Sequence, residues 1–167
     1  MLDEIPDHLK ENLNILFVGF NPSIRSGETG HHFANPTNRF WKILYGANIT
    51  PVLLKGEEDF KLLDYDCGLT NIVARPTKAA TDITKEEYEQ GRITLKEKIQ
   101  KYKPKVVCFV GKGVYEQYAQ KKSVQWGVQE KPVVNGTIDF VAPSSSGLVR
   151  MKLEEITSIY KELHNYI

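Results

Sequence analysis

Four short stretches of the chain are apolar with little alternation. The first, Asn14-Ile-Leu-Phe-Val-Gly-Phe20, ends at Asn21-Pro22. Unbroken apolarity of this length suits a central parallel strand covered on both faces. Gly68–Val73, Lys105–Val110 and Ile138–Ala142 read as three further strands. Between them the period changes to that of helices. In Arg39–Tyr45, Phe40, Ile43 and Leu44 fall at i, i+3 and i+4, with Gly46 as a stop. A short helix ends at Leu62 and Leu63. A long one opens at Asp82 with Thr84 as N-cap and Glu87 at capping-box spacing, and stops at about Tyr102 before Pro104. Val114–Lys121 is helical. Leu153–Leu163 closes the chain with Leu153, Ile156, Ile159, Tyr160 and Leu163 on one face. Residues 1–12 read as a polar lead-in, and Ser23–Asn38 as a long polar loop with Gly27, Gly30 and Pro36. Strands alternating with helices predict an α/β fold, a parallel sheet sandwiched between helical layers.

Composition narrows this picture. A chain of 167 residues and 19.0 kDa fits a single domain over residues 1–167. Roughly two-thirds of its unfolded surface can be buried, so no disulfide or metal staple is needed. With 41% hydrophobic and 26% charged residues, a disordered tail, a collagen-like chain and a coiled coil are excluded. No run approaches the ~18–20 apolar residues that span a bilayer. The start MLDEIPDHLKENL is acidic and polar, unlike a secretory signal. The expectation is a cytoplasmic protein with no membrane partner, its two cysteines, Cys67 and Cys108, buried and reduced. Net charge is only +1, but residues 1–67 carry 6 basic against 10 acidic side chains, and residues 75–105 carry 9 against 5. That asymmetry points to a basic face.

Ligands of open parallel sheets bind beyond the carboxyl ends of the strands, so the residues just after each strand carry the information. Gly111-Lys112-Gly113 invites a dinucleotide reading, but the position for a third small residue holds Glu116, and no GxxxxGK[ST] loop occurs. Ser144, Ser145 and Ser146 lie in no GxSxG elbow. Of the histidines His8, His31, His32 and His164, the adjacent pair points opposite ways in an extended loop, so no metal site is expected.

Asn21 is more informative. At a strand end it is either a turn residue or a group that holds a water, since an amide can donate and accept but cannot act as a base at neutral pH. Phe33 is either core or a stacking partner for a planar ligand. In Ser-Ser-Ser-Gly-Leu-Val-Arg, Leu148 is either docked inward or a wedge for a base stack.

Taken together these segments are familiar. Val18-Gly-Phe-Asn-Pro-Ser23, Gly30-His-His-Phe-Ala-Asn-Pro-Thr-Asn-Arg-Phe-Trp41, Leu63–Asn71, Arg75-Pro-Thr77, Val110-Gly-Lys112, Gln125-Trp-Gly127 and Pro143–Arg150 resemble, in that order, the mismatch-specific uracil-DNA glycosylase and thymine-DNA glycosylase family. That family lies within the uracil-DNA glycosylase superfamily. The resemblance runs from about residue 13 to the C-terminus. It implies a three-layer α/β/α sandwich with a short parallel sheet. It also implies an enzyme that flips a base out of duplex DNA and cuts its N-glycosidic bond, with no metal and no cofactor.

Residue by residue, the resemblance makes Asn21 the positioner of the attacking water. Phe20 stands where the family has isoleucine; its backbone amide is expected to meet the base and its ring to tighten the pocket. Phe33 is implied to stack on the flipped base, and Asn71 to belong to the base pocket. Ser23 replaces a glycine that leaves the family pocket open, or a tyrosine that excludes thymine in uracil-strict relatives, so it is expected to govern the 5-methyl group. Ser144 stands where faster relatives have a histidine, which implies slower chemistry. Gly147, Leu148, Val149 and Arg150 are implied to form the wedge and to read the opposite guanine.

The expectation is therefore a monofunctional glycosylase acting as a monomer on uracil, and on lesions such as ethenocytosine, opposite guanine in double-stranded DNA. Enzymes that process abasic sites would follow it in base excision repair. The alternative on the same fold is a catalytically silent lesion or mismatch binder.

Overall fold

In the computed structural model, which describes residues 2–167, the apolar stretches become β1 (Ile15–Gly19), β2 (Cys67–Asn71), β3 (Val106–Val110) and β5 (Ile138–Ala142). A two-residue strand, β4 (Gly127–Val128), precedes β5. The sheet order is β2-β1-β3-β5-β4, parallel throughout except for the antiparallel β4–β5 pair. The helices are α1 (Ile24–Thr29), α2 (Phe40–Gly46), α3 (Lys85–Tyr102), α4 (Lys112–Ala119) and α5 (Leu153–Lys161), with 3-10 turns at Gly56–Tyr65, Ala80–Asp82 and Glu162–Asn165. The α/β expectation of a parallel sheet between helical layers is met.

Side-chain alternation explains why the strands are apolar on both faces. Ile15 and Phe17 of β1, with Leu69, Cys108 and Phe140, pack against α2 and α5 through Phe40, Ile43, Leu44, Ile156 and Tyr160. Leu16 and Val18, with Val107, Phe109 and Val141, pack against α3 and α4 through Leu95, Ile99, Val114, Tyr115 and Tyr118. Each fully buried side chain of this size contributes about 1.5–3 kcal/mol. The cysteines add only bulk: both are free and buried, and burial pushes the Cys67 thiol up to about 12.

Three expectations need correction. The loop expected over Ser23–Asn38 contains α1, a polar helix defined by its ends: the Ser23 hydroxyl caps it and Gly30 closes it in a left-handed conformation. The lead-in is not a solvated tail, because Ile5 is buried and His8 exchanges two backbone hydrogen bonds with Leu69 on the outer edge of β2. The sequence reading also lacked β4. By contrast, α3 starts as expected, with Thr84 and Glu87 forming a reciprocal capping box.

Parallel register brings the strand ends level. Gly19 lies opposite Asn71, and Val110 opposite Ala142. The chain leaves β1 toward β2 on one side, while β3 lies on the other. The order therefore reverses at β1, where a crevice opens beyond the strand tips.

Candidate active site

A cavity of about 340 Å³ occupies that crevice, within the size range of small-molecule sites. Asn21, Pro22 and Ser23 line it from the turn after β1, Asn71 from the tip of β2, and Ser146, Gly147 and Leu148 from the loop after β5. His32, Phe33, Asn35, Thr37 and Asn38 enter from the segment before α2, and Ile5, Ser26 and Lys78 complete the wall.

The Asn21 amide is held at one end. Its Nδ2 donates to the Arg75 carbonyl and to Thr77 Oγ1, both at 2.8 Å. Thr77 in turn donates to the Ala79 carbonyl. A carbonyl partner accepts only, so the nitrogen must face Arg75, and both amide hydrogens are used. The Oδ1 atom remains as an acceptor on a residue that lines the cavity. Arg75 is itself gripped: its guanidinium makes a two-point contact with Glu87, at 2.8 and 2.9 Å, and donates to the Asp82 carbonyl. The Arg75 hydrogen bond pulls the Glu87 carboxyl down to about 2.

Phe33 forms the aromatic wall. It is half-buried, adopts a left-handed φ of 50°, and stacks on Phe40 with ring centroids 3.9 Å apart. Its carbonyl accepts from Trp41 Nε1, and the preceding His32 N–H donates to Asp59 Oδ2 at 2.8 Å. Gly19 has no room for a side chain, because a Cβ there would lie 2.7 Å from Asn71 Oδ1 and 3.9 Å from the Phe33 ring. This glycine lets the β1 tip approach both residues.

The loop after β5 is anchored by one side chain that sequence reasoning overlooked. Arg39 donates to the carbonyls of Ser146, Val149 and Met151, at 3.1, 3.1 and 2.8 Å, while its backbone N–H donates to the Ser145 carbonyl. Tyr160 donates to the Pro143 carbonyl at 2.8 Å. Gly147 sits so close to Thr37 that a Cβ would meet its carbonyl at 2.7 Å. From this braced base Leu148 projects with 93% of its surface exposed, and Arg150 is exposed beside it. An inward-docked Leu148 is excluded.

Three assigned positions are placed elsewhere. The Phe20 ring does not face the cavity. It shares the parity of Leu16 and Val18, so it turns toward α3 and α4, against Tyr88 and over Gly113. Ser144 faces Gly111, and its hydroxyl accepts from the Ser146 N–H; Ser146 lines the cavity instead. Val149 packs against the α2/α5 core and does not join Leu148 at the tip. Ser23 does line the cavity, but its hydroxyl is engaged with Ser26 as the helix cap.

A buried polar cluster lies behind the wall. Asp59, 1% exposed, contacts His31 Nδ1 at 3.1 Å and His8 Nε2 at 3.2 Å, besides the His32 N–H. Burial pushes its carboxyl up, but the contacts with His8, the His32 N–H and His31 outweigh this and hold it below the usual carboxylate value. The reading of the adjacent His31–His32 pair alone missed this cluster. Its other members come from positions 8 and 59, and no local spacing reveals them.

Comparison with known proteins agrees with this architecture. The solution NMR structure of a candidate uracil DNA glycosylase from Methanosarcina acetivorans is similar, with a TM-score of 0.61 over 96% of this chain and 97% of that one, at 24% identity. At that identity the likeness speaks for the fold. The sequence profile of the uracil DNA glycosylase superfamily matches residues 6–164. That span contains every strand, the cavity turn at Asn21 and the braced loop, and the chain belongs to the uracil DNA glycosylase superfamily, whose chemistry is hydrolysis of the N-glycosidic bond of a base in DNA.

Proposed function

We propose that this glycosylase removes uracil, and related lesions such as ethenocytosine, from mispairs with guanine in duplex DNA, acting as a monomer and leaving an abasic site for later repair enzymes. The observation that carries the reading is the Asn21 amide. With both its hydrogens bound to Arg75 and Thr77, it offers a fixed acceptor to one O–H of a water beside the base pocket. The flipped base enters between Phe33 and the Asn71 amide, which supplies both a donor and an acceptor for a pyrimidine edge.

The reaction needs little proton abstraction. The C1′–N1 bond loosens first, its electron pair leaves with the base, and the sugar gains oxocarbenium character. The held water then bonds to C1′, and its released proton ends on the departing base through solvent. Positioning and hydrogen bonds to the leaving base do the work of a strong general base. His32 lines the cavity but is a poor acid for the leaving group. Its Nε2 is engaged with the Pro6 carbonyl at 2.8 Å, and burial lowers its pKa. Ser144 offers no substitute. Both features favour slow turnover.

Duplex and mispair preference rest on the braced loop. A flipped base leaves a hole in the stack, and unstacking costs a few kcal/mol. An exposed leucine on a rigid base can fill that hole only where a second strand frames it. With a net charge of +1, phosphate attraction is modest, so the wedge and the contacts to guanine supply much of the affinity.

The test is abasic-site formation on matched G·U, A·U, G·T, G·ethenocytosine and single-stranded uracil substrates. The expected order places G·U and ethenocytosine first and single strands last. Binding of G·U without cleavage of any member would replace this reading with that of a silent mismatch binder. Equal rates on all five would remove the duplex preference.

A further inference from the structure

We propose that His8, His32 and Asp59 form a binding site for one divalent transition-metal ion of the zinc class, set at the base-pocket wall that His32 lines and independent of what the pocket cleaves. Their ligand atoms all lie within 4.8 Å of one another, and two of the three residues are buried. The donor set, two imidazoles and a carboxylate, is the kind that holds zinc with a position left for a water or a fourth side chain.

Three observations beyond proximity point to a cation. First, Asp59 is 1% exposed, and among the described residues its ion-pair partners are histidines only. A buried carboxylate without lysine or arginine needs positive charge from another source. Second, His8 Nε2 is buried, lies 3.2 Å from Asp59 Oδ2, and has no hydrogen-bond partner because it sits off the bonding line. A buried nitrogen that lies beside a carboxylate without being aligned for a hydrogen bond to it is placed as a co-ligand would be. Third, His32 Nε2 contacts the Pro6 carbonyl. A carbonyl can only accept, so Nε2 carries the proton and Nδ1 keeps the lone pair that a metal requires. Metal-binding histidines commonly donate their other N–H to a backbone carbonyl in this way.

The geometry is close to what an ion needs. Tetrahedral bonds of about 2.0–2.2 Å set ligand atoms roughly 3.4 Å apart. The His8–Asp59 pair already has that spacing, and a ligand atom of His32 lies within 4.8 Å of both. His31, at 3.1 Å from the other Asp59 oxygen, orients the carboxylate from outside. The bound ion would tie three separate segments together: the lead-in, the wall that carries Phe33, and the 3-10 turn at Gly56–Tyr65.

The test uses the untagged full chain, stripped with chelator and titrated with Co²⁺ and then Zn²⁺. The expected result is one Co²⁺ per chain with visible absorption bands that Zn²⁺ abolishes, and a thermal midpoint that rises with Zn²⁺ by mass action. His8→Gln should weaken the apparent Kd by at least about tenfold, with Asp59→Asn as the second ligand variant. His164→Gln, which changes the one histidine remote from the cluster, should leave it unchanged. Circular dichroism of the stripped variants separates loss of a ligand from loss of fold. Absence of both absorption and thermal shift in the unsubstituted chain would overturn the site. Equal affinity in His8→Gln, or loss in His164→Gln, would overturn it as well.

Discussion

The turn after β1 and the loop after β5 face each other across one cavity, yet they are held in opposite ways. Asn21 is fixed by bonds to its own side chain: Arg75 and Thr77 take both amide hydrogens, and Glu87 grips Arg75 in turn. The loop after β5 is fixed by its backbone, through three carbonyls gathered by Arg39, while its tip side chain touches almost nothing. One region fixes a functional group inside the protein. The other fixes a platform and leaves the functional group free for something outside. A group that must orient a water needs the first arrangement, and a group that must enter a DNA stack needs the second.

The sharpest way to break this contrast is Asn21→Ala. It should keep fold and DNA binding and lower single-turnover cleavage by about 10²–10³-fold, or roughly 3–4 kcal/mol, as for loss of one preorganised polar group. Near-normal cleavage would remove Asn21 from the chemistry. Arg39→Ala should come next. It frees three carbonyls from charge-assisted bonds that are worth about 1.5–3 kcal/mol each when fully formed. G·U duplex cleavage should fall by about 10–100-fold, with a lower thermal midpoint and little added loss on single strands. An equal loss on every substrate would mean that Arg39 serves the fold alone.

Leu148→Ala leaves the platform intact and removes only its tip. G·U duplex cleavage and affinity for abasic product should fall by about tenfold, within the few kcal/mol that base unstacking costs, while single-strand activity and stability stay unchanged. Ser23→Gly probes the turn side more gently. The cap loss costs only a few tenths of a kcal/mol. The G·T to G·U ratio should rise by less than about 200-fold, the worth of a single methyl group. An unchanged ratio would show that Ser23 does not meet the methyl.

The smallest effect is on pH. Because Arg75 holds Glu87 near 2 in the folded chain, against 4.5 unfolded, this pair stabilises the fold above pH 4.5. Its contribution is lost as pH falls from there toward about 2. Solvent exposure keeps it small. Urea unfolding of Glu87→Gln should show a flatter acid limb over that window, and an identical limb would remove the pair from the acid response.

How much of this was legible in the residues depends on range. β1 and β3 declare themselves because burial on both faces demands unbroken apolar runs, and β5 does so although Asp139 interrupts its run. The start of α3 declares itself because its capping box is local. Two residues are too few to show a period, so β4 left no trace, and α1 carries no apolar stripe, only a cap at each end. The Phe20 ring was misassigned although its parity with Leu16 and Val18 was available. Asn21 was reachable from its place at a strand end and Leu148 from the loop after one, whereas Asn71 came only from the family resemblance, because the second strand reads on to Val73 in the sequence and ends at Asn71 in the structure. Arg39 lies within a recognisable motif, but nothing local says which carbonyls it will meet. The Asp59 cluster joins residues about fifty positions apart, and no window along the chain contains it.

His8 carries one more consequence. A parallel sheet ends in unpaired strand edges, and each is a template on which another chain can pair. At one margin β4 is only two residues long and runs against its neighbour. At the other, the two-way exchange between His8 and Leu69 occupies the rim of β2. Residues 2–12 therefore act as an edge guard. A chain trimmed to its first strand would keep every cavity residue except Ile5, yet it would expose a sticky flank, and its characteristic fault would be self-association rather than loss of chemistry.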